Sequence, residues 1–105
     1  MNVQGLIGWN VARLRRRMRL SQEQVAKSTG IIDQSYISGL ENGRRNPTAI
    51  LLVSIAEGLG VQVGELFSIN GAPSELVEGP VQRIGERTDK GGAQSNDYRA
   101  DPYEA

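Results

Sequence analysis

The chain is 105 residues long, enough for one domain, and balances twelve Lys and Arg against twelve Asp and Glu. It contains no Cys and no His, which removes disulfides, thiolate metal sites, the usual zinc ligand and the usual general base near neutral pH. With one Trp, one Phe and three Tyr, a core must be built mainly from Leu, Ile, Val and Ala. The zero net charge conceals a division. Residues 1–69 hold eight basic and five acidic side chains, and residues 70–105 hold four basic and seven acidic. A basic part joined to an acidic part suits a polyanion-binding domain with a tail of other purpose. No apolar run approaches the roughly 20 residues of a membrane span. The start of the chain lacks the charged-then-apolar order of a signal peptide, so a cytoplasmic protein is expected.

An all-α domain is expected over residues 6–69. In the first helix Ile7, Val11, Leu14 and Met18 recur as one apolar stripe, and Arg13, Arg15, Arg16, Arg17 and Arg19 fall off it. Ser21-Gln22-Glu23-Gln24 fits the capping box S-x-x-Q and opens a second helix that stops at Gly30. Asp33 is suited to cap the third helix, with Ile32 stapled against Ile37. Its buried side is Ile37, Leu40 and the ring of Tyr36, and Asn42-Gly43 ends it. A fourth helix begins near Asn46-Pro47-Thr48, buries Leu52, Ile55, Ala56 and Leu59, and stops at Gly60. A short fifth segment, from about Gln62 to Phe67, buries Val63, Leu66 and Phe67. These helices are near or below the roughly 12–15 residues at which isolated helices are marginal, so they must share one core.

From Asn70 to Ala105 the chain is rich in Gly, Pro, Ser, Asp and Glu, a composition that buries too little apolar surface to offset ordering entropy. This segment is read as a mostly irregular acidic tail, in which residues 74–86 are the candidate for local structure.

The third helix has an odd outer face. Residues 33–45, "DQSYISGLENGRR", present an amide, hydroxyls and a mid-helix glycine, and such a glycine costs about 1 kcal/mol relative to alanine. A capped short helix, a turn and a second short helix with polar outer residues is a helix-turn-helix layout. The blocks "LRRRMRLSQEQVAKSTG", "SYISGLENGRRNPT" and "IAEGLGVQVGELF", in that order, resemble the Cro/cI-like (XRE-type) helix-turn-helix transcriptional regulators from about Ile7 to Phe67. The resemblance implies a five-helix lambda-repressor-like domain, with helix two across the DNA backbone and helix three in the major groove. Matched residue by residue, it implies that Gln34, Ser35 and Gly39 face bases. Gln22 bonds a phosphate, and Arg15 approaches the phosphates while pairing with Glu41. Ser38, Arg44, Arg45 and Asn46 meet the backbone. The residue chemistry agrees: Gln suits an adenine edge, Ser serves several bases weakly, and Arg suits phosphate oxygens.

Three departures from the family pattern stand out. "GIIDQSYI" has one residue more than the family turn, at Ile31 or Ile32; Gln62 replaces a Ser or Asp cap; and Gly39 replaces a long polar side chain. The expected function is a repressor, acting on the nucleoid, that binds an inverted-repeat operator as a homodimer and occludes a promoter. The dimer surface is expected near Val61–Ile69. The rival is a partner-binding helix-turn-helix protein, such as an antitoxin or anti-activator, whose acidic tail takes a protein. DNA binding by residues 1–69 alone would separate the two. No cofactor, metal or catalytic group is expected, since carboxylate pairs share no predicted helix face.

Overall fold

The computed structural model describes residues 1–82, and among these there are helices and no strand. Helix α1, Val3–Arg17, starts a turn earlier than the apolar stripe implies because the Asn2 side chain accepts a hydrogen bond from Gly5 N at 2.9 Å. It ends at the Met18 cap, after which Arg19 takes a left-handed φ of 61°. That ending corrects one expectation: Met18 lies past the last turn, and its side chain is exposed, not in the stripe.

Helix α2, Gln22–Thr29, carries the full capping box, with Ser21 Oγ accepting from Gln24 N at 3.0 Å and Gln24 Oε1 accepting from Ser21 N at 2.7 Å. Gly30 ends α2 at φ 74°, Ile31 is exposed in the turn, and Ile32 returns to the core. Asp33 caps α3, Gln34–Glu41, by accepting from Tyr36 N at 3.0 Å. Helix α4, Ala49–Leu59, is capped by Thr48 and closed by Gly60.

The core brings Val11 and Leu14 of α1, Val25 of α2, Tyr36, Ile37 and Leu40 of α3, and Leu51, Ile55 and Leu59 of α4 into one cluster. Fully burying each such aliphatic side chain stabilises the fold by about 1.5–3 kcal/mol. Helices α1 and α3 meet backbone to backbone at Gly8, where a Cβ would sit 2.2 Å from the Leu40 carbonyl oxygen. No other residue fits that crossing.

A 3-10 helix, Val63–Phe67, follows, and Gln62 gives it no side-chain cap. Only Leu66 of this segment is buried, whereas Val63 and Phe67 are exposed. Three-fold winding turns each residue about 120° from the last, so Phe67 leaves the face that Leu66 buries. The burial expected of Val63 and Phe67 is thereby corrected.

The described chain continues past Ile69 into the stretch 74–86, the candidate for local structure. Helix α5, Ser74–Val77, packs on the start of α1, where Asn2 N donates to Leu76 O at 2.8 Å and Gln82 N donates to Met1 O at 2.8 Å. The remainder of the tail, with the protein partner expected for it, lies outside the described residues. No described helix is long and apolar enough to cross a membrane.

Candidate nucleic-acid interface

Capping sets the geometry of α2 and α3. Gln22 is the first residue of α2 and Gln34 the first of α3, because Ser21 and Asp33 each hold the preceding cap. The two amides meet, with Gln34 Nε2 donating to Gln22 Oε1 at 2.6 Å. Gln22 Nε2 in turn donates to Glu41 Oε1 at 2.9 Å.

Glu41 is gripped from α1. Arg15 Nε donates to Glu41 Oε2 at 2.6 Å and Arg15 Nη2 to Oε1 at 3.0 Å, a bidentate fork. Both side chains are largely buried, 13% and 7% exposed, so the pair is weakly screened by solvent. The hydrogen bond to Glu41 pushes the Arg15 pKa up from its ordinary value; burial opposes this and the carboxylate charge adds to it. Arg15 Nη1 also donates to Leu20 O at 3.0 Å, which ties the α1–α2 turn to the same network. One continuous chain of side-chain bonds therefore runs Arg15–Glu41–Gln22–Gln34, across three helices.

Gln34, Ser35, Ser38, Gly39, Arg44 and Arg45 line one concavity of about 550 Å³ on the outer side of α3. Gln34, Ser35 and Arg44 are exposed there, Ser38 is half-buried, and Asn46 lies exposed just beyond the turn. Ser35 Oγ donates to Asp33 Oδ1 at 3.1 Å. Gly39 has no free face in this chain, because the side chain of Arg45 covers it. Arg45 also lies over the buried Tyr36 ring, 4.8 Å from its centroid. Its carbonyl accepts from Gln4 Nε2 at 2.8 Å, so the first turn of α1 holds the loop that carries both arginines.

Sequence reasoning missed Asn10. It is fully buried, and its Nδ2 lies 3.2 Å from Leu6 O, 3.0 Å from Leu66 O and 2.9 Å from Ser68 O. Arg13 Nη2 donates to Asn10 Oδ1 at 2.8 Å while stacking 5.2 Å from the Trp9 centroid. The one available signal was a polar residue flanked by the apolar positions Ile7, Val11 and Leu14.

The helix-turn-helix family model HTH_3 matches residues 11–66. An uncharacterized HTH-type transcriptional regulator, y4dJ, of Sinorhizobium fredii (strain NBRC 101917 / NGR234) is 50% identical over 68 residues, which is 65% of this chain and 87% of the relative. The crystal structure of the restriction-modification controller protein C.AhdI from Aeromonas hydrophila superposes with TM-score 0.58 at 34% identity, over 61% of this chain and 96% of that one. The controller protein C.Esp1396I, solved as a tetramer in complex with its natural 35 base-pair operator, superposes with TM-score 0.54 at 26% identity, over 63% of this chain and 96% of that one. With the capped α2–turn–α3 unit and a family match across more than half of its length, the protein belongs to the XRE-type helix-turn-helix family of DNA-binding transcriptional regulators.

Proposed function

We propose that the protein is a homodimeric repressor that binds an inverted-repeat operator and occludes a promoter, each subunit laying α3 in one major groove. The observation that carries this reading is the α3 concavity: its lining holds an amide, two hydroxyls and two guanidinium groups and no acidic side chain. Gln34 would read an adenine edge, with Ser35 beside it as a weaker reader. Gln22, Arg15, Ser38, Arg44, Arg45 and Asn46 would meet phosphates, which set register without reading sequence. The Gln34–Gln22 bond supports a coupling in which a phosphate contact orients the base contact.

A subunit of this size reads only a few base pairs, so useful specificity needs two half-sites about 34 Å apart. The segment Val61–Ile69 is suited to joining the subunits, since Val63, Phe67 and Ile69 expose apolar side chains in the monomer. Likeness to two restriction-modification controller proteins, one of them solved as a tetramer on its operator, supports a small regulator that works by operator occupancy. Sedimentation equilibrium and gel shifts on Phe67→Asp test the dimer. The variant should become monomeric at micromolar concentration and lose operator affinity while keeping half-site affinity. A Phe67→Asp protein that stays dimeric with full operator affinity would contradict the assignment.

A further inference from the structure

Gly39 sits one helical turn after Ser35, on the stripe that faces the proposed groove, and it supplies no side chain to read with. The position is nevertheless filled. A Cβ built on Gly39 would lie 3.3 Å from Arg45 Nε, 3.5 Å from its Cγ and 3.9 Å from its Cδ, so the arginine lies along the helix where a side chain from residue 39 would otherwise run. Three features hold it there. The Tyr36 ring lies beneath the guanidinium at 4.8 Å, Gln4 fixes the Arg45 carbonyl at 2.8 Å, and the missing Cβ leaves the space. Among the described residues the guanidinium has no hydrogen-bond or ion-pair partner.

The geometry points to Arg45 as a specificity-determining residue: a base reader lent to the recognition helix by the following turn, in place of the side chain Gly39 lacks. This rests on the groove-binding reading above and changes the role of Arg45 within it, from backbone contact to base contact. The target chemistry is a guanine edge, because a planar fork with free N–H groups matches the paired O6 and N7 acceptors. A phosphate would accept from the same fork, so base preference, and not affinity alone, separates the two contacts. Stacking on Tyr36 removes side-chain freedom before DNA arrives, which lowers the entropy lost on binding.

The assignment makes Gly39 and Arg45 one unit. Gly39→Ala adds a good helix former, so the fold should tighten. The same methyl would lie 3.3 Å from Arg45 Nε, close enough to push the guanidinium outward by a few tenths of an ångström, so discrimination should fall. Stability and specificity therefore move in opposite directions.

The test uses the full chain and DNA sites selected from random sequence by the wild-type protein. Competition gel shifts then compare wild type, Arg45→Ala, Gly39→Ala and the double variant on the selected site, on its single-base variants and on random DNA, with thermal melts as the folding control. Arg45→Ala should lose about 10- to 100-fold of preference for guanine at one position per half-site, with the salt slope on random DNA unchanged. Gly39→Ala should lose preference at that same position with an undiminished melting temperature, and the double variant should be no worse than Arg45→Ala alone. If Arg45→Ala weakens selected and random DNA equally and lowers the salt slope by about one, the residue is a phosphate contact and the proposal is overturned. A Gly39→Ala loss that persists in full in the Arg45→Ala background also overturns it, since the methyl would then be acting on DNA directly. Failure of the wild type to enrich any site would overturn the groove-binding reading, an outcome distinct from either.

Discussion

The outer side of α3 and the outer side of the 3-10 helix Val63–Phe67 are both left uncovered by a monomer whose core is otherwise closed, yet they are open in opposite chemical senses. Around Gln34 the surface offers amides, hydroxyls and guanidinium groups held by a network that reaches back to α1. Around Phe67 it offers aromatic and aliphatic carbon on a five-residue segment anchored by Leu66 and by the bonds from Asn10. Nucleic acid suits the first surface and a second copy of the chain suits the second. Each surface depends on one polar residue packed behind it, the half-buried Glu41 in one case and the fully buried Asn10 in the other. Those anchors can be removed separately.

Glu41→Ala should have the largest effect. It strands a largely buried Arg15 and frees Gln22, costing about 3 kcal/mol in urea unfolding and lowering DNA affinity at the same time. A loss under about 0.5 kcal/mol would mean the pair behaves as a surface ion pair. Asn10→Ala should cost about 2 kcal/mol by leaving the Leu66 and Ser68 carbonyls without their buried donor. Hydrogen exchange should show the loosening confined to residues 63–68 while α3 stays protected. Equal loss of protection in both regions would erase the distinction between the two anchors.

Gln34→Ala leaves the core untouched and should cost about 1–3 kcal/mol at a single base pair, read by competition among single-base variants of the operator. A uniform loss across sequences would move Gln34 to the phosphates. The smallest effect belongs to Arg44→Ala: weaker binding to all sequences alike, with the salt slope reduced by about one. An unchanged slope would leave Arg44 without a phosphate.

What could be read in advance follows the range of the interactions. Ser21 and Asp33 cap their helices by bonds to residues three positions on, so local pattern was enough to find them. The pairing of Arg15 with Glu41 spans 26 positions and came only with the family resemblance, since spacing cannot align two helices not yet packed. Asn10 bonds carbonyls 56 and 58 positions away, which no local pattern encodes. The burial of Met18, Val63 and Phe67 was misjudged where an α-helical period was carried past a helix end or into a 3-10 turn. At Gly39 the sequence showed an absence, and only the fold showed Arg45 filling it.

Selection of bound sites from random DNA, performed in parallel with the wild-type chain and with Gln34→Ala, tests the central claim most directly. The wild type should enrich an inverted repeat with half-sites about one helical turn apart. The variant should enrich the same repeat with one position per half-site relaxed. Enrichment of no sequence by the wild type, or an unaltered preference in the variant, would contradict the claim.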